Sequence, residues 1–325
     1  MIQNSPDGAT QLEIFKKMAL LKANDERSRK VITTGRLVMP YYPYRGQEVI
    51  PSALAVNLKD TDYLCTIYRG IHDMLAKGLP LKELWAEIAG RVDGTCKGKG
   101  GPMHLTDVKH GVMVTTGIVG ASMPIANGLA WAAQIRGEDR VAVATFGDGA
   151  SNIGAFHEAL NLAAVWNLPT IFLCQNNRYG EHTKYAKATG AAKISDRAIS
   201  YGIKGIHVDG NDPIAMYNAA REAVEHARAG KGPVLIEALT FRFHGHVFGD
   251  AGGYIPKEEL AEAIANDPYP RFRAKLVADG IATEEQLAAI EADFETQLDE
   301  AVDYALASPF PGVEEATTDV YGAAA

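Results

Sequence analysis

Residues 141–177 read VAVATF, GDGASN, IGAFHEALNLAAVWNLP and TIFLCQNN in succession. An apolar run breaks at Gly147-Asp148-Gly149, a helical pattern follows, and a second apolar run ends in Asn176-Asn177. This pattern predicts a strand, a glycine turn, a crossover helix and a second strand. Such a unit makes its two strands parallel and is right-handed almost without exception. Asp148 and Asn177 then lie just past the carboxyl ends of two strands of one sheet, where open α/β sheets bind ligands.

Working outward, helical patterns are expected over residues 9–34, 47–58, 81–89, 121–134 and 213–229. Asp7-Gly8 is a plausible start for the first. Short strands are expected over 63–66, 205–208 and 234–241. The helix over 121–134 is rich in Ala and Gly (Ala126, Gly128, Ala130, Ala132, Ala133), which places it close against the sheet. Residues 90–120 form a long glycine-rich segment that reads as a functional loop, and 178–200 a second irregular region. From residue 256 the chain is helical again. Thr283 and Gln286 have the spacing of a capping box. Leu287, Ile290, Phe294, Leu298, Ala301 and Ala305 then make one apolar stripe. The expected class is α/β, a mostly parallel sheet flanked by helices. Residues 1–255 form one ligand-binding domain with an N-terminal helical extension, and 256–325 a helical segment packing on it or on a partner. The terminal Ala-Ala-Ala is expected to fray.

A chain of 325 residues that is 47% hydrophobic can bury a full core. A formal net charge of -8 speaks against a nucleic-acid binder. Cys65, Cys96 and Cys174 are widely separated and form no CxxC pair, which supports neither a disulfide framework nor a cysteine-ligated metal. No apolar stretch reaches the length of a membrane span, and no signal peptide is evident. A cytoplasmic protein is expected.

Hard divalent cations take oxygen ligands, commonly one or two protein oxygens together with phosphate. Asp148, the Asn177 amide oxygen and a backbone carbonyl just beyond would supply part of such a shell. A helix starting near Ser151-Asn152 would turn free N–H groups toward a diphosphate, and Gly147 and Gly149 would permit a tight turn and close approach. The same residues also suit a simpler arrangement, with Asp148 as a helix cap and Asn176-Asn177 as a turn.

GDG followed by 26 residues and then NN resembles the thiamine diphosphate-binding motif. Further motifs recur in order: YRG at 68–70, GKGGPMH at 98–104, GIVGASMP at 117–124, QNNRYG at 175–180, VDGND at 208–212 and FHGH at 243–246. Together they resemble the α subunit of the thiamine diphosphate-dependent 2-oxo acid dehydrogenases, the pyruvate, branched-chain and acetoin group, over roughly residues 10–310. The resemblance implies the diphosphate-binding half of that fold, with thiamine diphosphate and Mg²⁺ as cofactors. It implies Mg²⁺ ligands at Asp148, Asn177 and the Tyr179 carbonyl. Gly149 and Ala150 would give backbone N–H groups to the diphosphate, with Tyr68 and Arg69 on its other side. Gly117 and Val119 would hold the aminopyrimidine. His246 is the expected catalytic residue, next to the diphosphate and the reacting centre. His244 is expected to be structural, Lys97 and Lys99 either solvated or phosphate-binding, and Arg178 and His182 entrance residues.

The resemblance further implies an oxidoreductase that cleaves a 2-oxo acid or acetoin and passes the acyl fragment to a lipoyl-bearing dihydrolipoyl acyltransferase. A glutamate that activates the cofactor ring would come from a β subunit, within an α₂β₂ heterotetramer. Several positions depart from the pattern. Tyr42 stands about where pyruvate and acetoin relatives carry a histidine, and Ile255 follows Tyr254 where an arginine is usual. Val247 replaces the regulatory serine of mitochondrial pyruvate relatives, which excludes phosphorylation there. FGDAGGY is nearer the acetoin type. A split transketolase shares this half, but YRG and FHGH favour the dehydrogenases. A ferredoxin-linked oxidoreductase would bring an iron–sulfur site, which the scattered cysteines do not support. A non-catalytic cofactor-binding subunit is disfavoured by the intact Asp148, Asn177, Arg69 and His246.

Overall fold

The structure is a computed structural model and describes residues 5–321; the terminal alanines lie outside them. Asp7 opens α1 (Gly8–Thr33) by accepting the Thr10 backbone N–H at 2.7 Å, satisfying one of the orphan donors of the first turn. The chain continues through α2 (Val49–Ala55), β1 (Tyr63–Ile67), α3 (Ile71–Lys77) and α4 (Leu81–Ile88). It then runs to β2 (Val112–Thr116), α5 (Ser122–Arg136), β3 (Ala142–Gly147), α6 (Gly154–Val165) and β4 (Thr170–Asn176). A two-residue hairpin, β5 (Tyr179–Gly180) and β6 (Thr183–Lys184), and the single turn α7 (Tyr185–Ala188) follow. Next come β7 (Lys204–Asp209), α8 (Pro213–Arg228) and β8 (Val234–Leu239), and α9 (Lys257–Ala265), α10 (Pro268–Ala278) and α11 (Glu284–Ala307) close the chain.

Among the described residues six strands form one sheet in the order β2–β1–β3–β4–β8–β7, with every neighbouring pair parallel. The α/β class expected from the sequence is therefore the one observed. All seven residues of β4 are buried, because helices cover both faces of a parallel sheet. Alternation along the strands divides the core in two. Val143, Ile171, Leu173 and Ile236 face the side covered by α1, α2 and α8. Ala144, Phe146, Phe172 and Cys174 face α5 and α6.

Three expectations need correcting. Residues 90–120 are not wholly loop: VMVTT forms β2 at the sheet edge, a five-residue strand whose signal is masked by the glycines around it. The small-residue helix does pack on the sheet, through Ala126 and Ala130, yet Gly128 is exposed and a Cβ there would meet nothing within 4 Å. Lastly, the crossover helix does not begin near Ser151-Asn152. A 3₁₀ turn over Asp148–Asn152 comes first, and α6 starts at Gly154 after an extended Ile153.

At the C-terminal end the capping box forms in both directions: Thr283 Oγ1 accepts from Gln286 N–H and Gln286 Oε1 from Thr283 N–H. The stripe of α11 lies in the same core as α1 and α4, with Leu287, Leu298, Ala301 and Ala305 fully buried. Arg27 of α1 pairs with Glu295 and Asp299 of α11. No described helix is long and apolar enough to cross a membrane. Leu298→Ala should therefore destabilise the chain by about 2–5 kcal/mol through the cavity it leaves. Thr283→Ala, losing only a cap, should cost about 1 kcal/mol. Denaturant unfolding of both variants measures the difference, and equal effects would contradict the packing of α11 on α1.

Candidate functional site

The carboxyl ends of β1, β3 and β4 open into a cavity of about 240 Å³. Asp148, Gly149 and Ala150 enter it from the turn after β3, and Asn177 and Tyr179 from the chain after β4. Tyr68 and Arg69 reach it from the end of β1, Val119 from the loop before α5, and His246 from the loop after β8. Gly117 does not line it; a Cβ there would lie 3.5 Å from the His104 ring. The described residues hold no cluster of three or more His, Cys, Asp or Glu side chains suited to a metal. Any cation here would depend on mixed oxygen donors.

Asp148 is the dominant electrostatic feature. It is 2% exposed, and burial pushes its carboxyl up to about 7 against the pull of local backbone hydrogen bonding and the Arg242 guanidinium. A carboxylate so far desolvated must take a proton or be matched by a cation. Asn177 is oriented by its neighbours: its Nδ2 donates to Gln47 Oε1 at 2.8 Å, while Oδ1 accepts the Tyr179 N–H at 3.2 Å. Gln47 Nε2 itself is buried without a partner. Asn176 is committed elsewhere, donating to Glu237 Oε1 at 2.8 Å and tying the strand end to β8. The two asparagines thus have separate tasks. Arg178 turns the chain away from β4 with a left-handed φ of 70°, and the Tyr179 hydroxyl donates to Glu259 on α9 at 2.9 Å.

The glycines act by space rather than by unusual backbone angles. Gly147 has an ordinary φ of −88° and a Cβ there would meet nothing within 4 Å, so the wall beside Asp148 is left open. A Cβ on Gly149 would lie 3.2 Å from the Gly180 backbone, which keeps the β3 turn and β5 in close approach.

Arg69 crosses the opposite wall. It donates to the Pro43 carbonyl at 2.6 Å and to the His246 carbonyl at 3.0 Å, and its Nη2 lies 3.2 Å from His246 Nδ1. Guanidinium has no acceptor, so Nδ1 receives the hydrogen bond and the ring proton sits on Nε2. Burial, then the Arg69 and Arg242 guanidiniums, push His246 down to about 4. His246 is thus a neutral imidazole offering an N–H donor. Its backbone N–H is held by Asp250 at 2.6 Å. Burial, reinforced by Arg242, likewise lowers Arg69 to about 10.

Arg242 and Glu181 also line the cavity, and sequence reasoning missed both. Arg242 is 2% exposed and donates to the His244 carbonyl and, at 2.8 Å, to the Tyr254 hydroxyl. An arginine between Phe241 and Phe243 at the end of a buried strand was the available signal. Tyr42 packs edge-on against Tyr68 at 4.5 Å and against His246 at 5.5 Å, so this departure lies on the wall of the site. Ile255 is buried with Phe241 and Phe243. His182 stands 4.7 Å from the Tyr254 ring. Lys97 and Lys99 pair with Glu315 and Asp319 and do not enter the cavity.

Comparison with known proteins adds an independent line. The dehydrogenase E1 component family matches residues 16–314. The α subunit of an acetoin:2,6-dichlorophenolindophenol oxidoreductase from Bacillus subtilis is 40% identical over 95% of this chain and 93% of its own length. Its counterpart from Cupriavidus necator is 39% identical over 97% and 95%. The pyruvate dehydrogenase E1 component α subunit of Rhizobium meliloti is 38% identical over 95% and 89%. With near-complete coverage on both sides, the chain belongs to the dehydrogenase E1 component family, as a relative of its α subunits.

Proposed function

We propose that this chain is the diphosphate- and cation-binding subunit of a thiamine diphosphate-dependent dehydrogenase that cleaves acetoin, in preference to a 2-oxo acid. The observation that carries the reading is the convergence of Asp148, Asn177, Arg69 and His246 on one cavity at the strand ends. The donors fit Mg²⁺: one desolvated carboxylate, one amide oxygen whose Nδ2 is held by Gln47, and the backbone beyond Asn177. Asp148, Asn177 and the Tyr179 carbonyl would hold the ion. Gly149 and Ala150 would offer N–H groups to the diphosphate, faced by Tyr68 and Arg69, while Gly117 and Val119 would carry the aminopyrimidine end. When bound, thiamine diphosphate supplies the carbon nucleophile that attacks a ketone and the electron sink for the bond that breaks.

The chain's own contribution is electrostatic and positional. Arg69 and Arg242 bring positive charge to a diphosphate, and Asp148 with a cation completes the balance. His246, neutral with its proton on Nε2, can donate to a carbonyl oxygen in the reacting substrate without adding a charge. Tyr42, Tyr68 and His246 make an aromatic wall that suits a small, uncharged ketone such as acetoin.

Activation of the cofactor ring would come from a β subunit in an α₂β₂ assembly, and the acyl fragment would pass to a lipoyl-bearing acyltransferase. An exposed apolar face supports subunit assembly. Trp131 of α5 and Trp166 beside α6 lie 4.9 Å apart at the surface, flanked by exposed Ile125, Ile135 and Val165. Cys65, Cys96 and Cys174 are free thiols, in keeping with a cytoplasmic enzyme.

The purified chain alone should not turn over substrate with thiamine diphosphate and Mg²⁺, whereas the complex with its β subunit should. In that complex Asp148→Ala should lower activity by about 100-fold or more; an unchanged rate would favour a non-catalytic role. A substrate screen with an artificial electron acceptor should give turnover with acetoin; turnover only with pyruvate or branched 2-oxo acids would overturn the substrate assignment. The His246 ring, followed by NMR, should titrate near pH 4 and carry no charge change between pH 5 and 8. A midpoint near 6.5 would contradict its neutral donor role.

A further inference from the structure

Below the cavity lies a second polar cluster, none of whose side chains lines it. Thr66, His72, Asp73, Thr145 and Gln175 are each more than nine-tenths buried. Asp73, in the first turn of α3, accepts from Thr66 Oγ1 at 2.6 Å and Thr145 Oγ1 at 2.7 Å through one oxygen. Its other oxygen accepts from Gln175 Nε2 at 2.8 Å. Gln175 Oε1 meets His72 Nε2 at 2.8 Å, and His72 Nδ1 meets the Arg69 carbonyl at 3.0 Å. One carboxylate therefore gathers the carboxyl ends of β1, β3 and β4. A Cβ on Gly70 would fall 2.1 Å from Thr66 Oγ1, so only glycine lets the chain turn this tightly from Arg69 into α3.

The contacts join these groups into one chain. His72 Nδ1 lies 3.0 Å from the Arg69 carbonyl, and Gln175 bridges His72 Nε2 and Asp73. Asp73 Oδ1 itself lies 3.8 Å from His72 Nε2. Thr66 and Thr145 have one hydroxyl proton each, and their Oγ1 atoms lie 2.8 Å apart as well as beside the same Asp73 oxygen, so the three groups form one tight cluster. Tyr44 stacks on the His72 ring at 4.8 Å and 12° and fixes its plane.

We propose that His72 and Asp73, bridged by Gln175, are positioning residues for the diphosphate subsite. They fix the backbone of Arg69 on one wall and, on the other, the end of β4 two residues before Asn177. This rests on the reading of the cavity as a thiamine diphosphate site. In the assembled enzyme, Gln175→Met should raise the half-saturating concentration of thiamine diphosphate about tenfold, while kcat at saturating cofactor falls far less. Thr145→Val, which removes one donor to Asp73, should shift half-saturation in the same direction by a smaller factor and serves if Gln175→Met does not fold. Unchanged half-saturation, or a loss confined to kcat, overturns the positioning role. A wild-type assembly that binds no thiamine diphosphate would instead overturn the functional reading.

Discussion

The rest of the site is arranged around the burial of the Asp148 carboxylate. Taking a carboxylate out of water costs several kcal/mol unless a proton or a cation compensates. Here the compensation does not come from a paired side chain: the guanidiniums that reach the same cavity, Arg69 and Arg242, are held by backbone carbonyls, His246 and Tyr254. The protein thus keeps its acid and its bases in one cavity without letting them neutralise each other. An anionic ligand carrying a divalent cation would satisfy both sides at once, the cation meeting Asp148 and the anionic oxygens meeting the arginines.

The same positive field sets the state of His246. Burial, with two guanidiniums beside the imidazole, makes a third positive charge unfavourable, and the Arg69 hydrogen bond to Nδ1 selects the tautomer. Arg69 therefore does two things with one side chain: it fixes the loop after β8 through the His246 carbonyl, and it presents His246 as a neutral donor. Replacing it with lysine would keep the charge but not the fork that makes three contacts.

Much of this was legible in the sequence, for physical reasons that differ by element. The β3–turn–α6–β4 unit carries long apolar runs and a glycine break, and the capping box at Thr283 and Gln286 is a local hydrogen-bond device that needs no tertiary context. Asp148 and Asn177 could be placed because parallel strands deliver their carboxyl ends to one edge, whereas Arg69 and His246 were expected only from the motifs YRG and FHGH. What was hidden depended on partners far away in sequence. β2 is only five residues long among glycines, and its pairing with β1 creates it. The 3₁₀ turn after Asp148 has no periodic signature. Arg242 reads as an oddity in an apolar strand end until Tyr254 and the His244 carbonyl are seen around it. His72 and Asp73 look like two polar residues in a short helix; their meaning comes from Gln175, 103 and 102 residues away.

Helix α5 separates the sheet from an exposed apolar face. Its inner face must be small, because Ala126 and Ala130 sit against a sheet surface made of Ala142 and Ala144. This close packing brings the loop carrying Val119, just before α5, to the cavity wall. The outer face of the same helix carries Trp131 and Ile135, which the single chain leaves exposed. Water contact with such large apolar groups is unfavourable by about 25 cal/mol per Å², so covering them favours association.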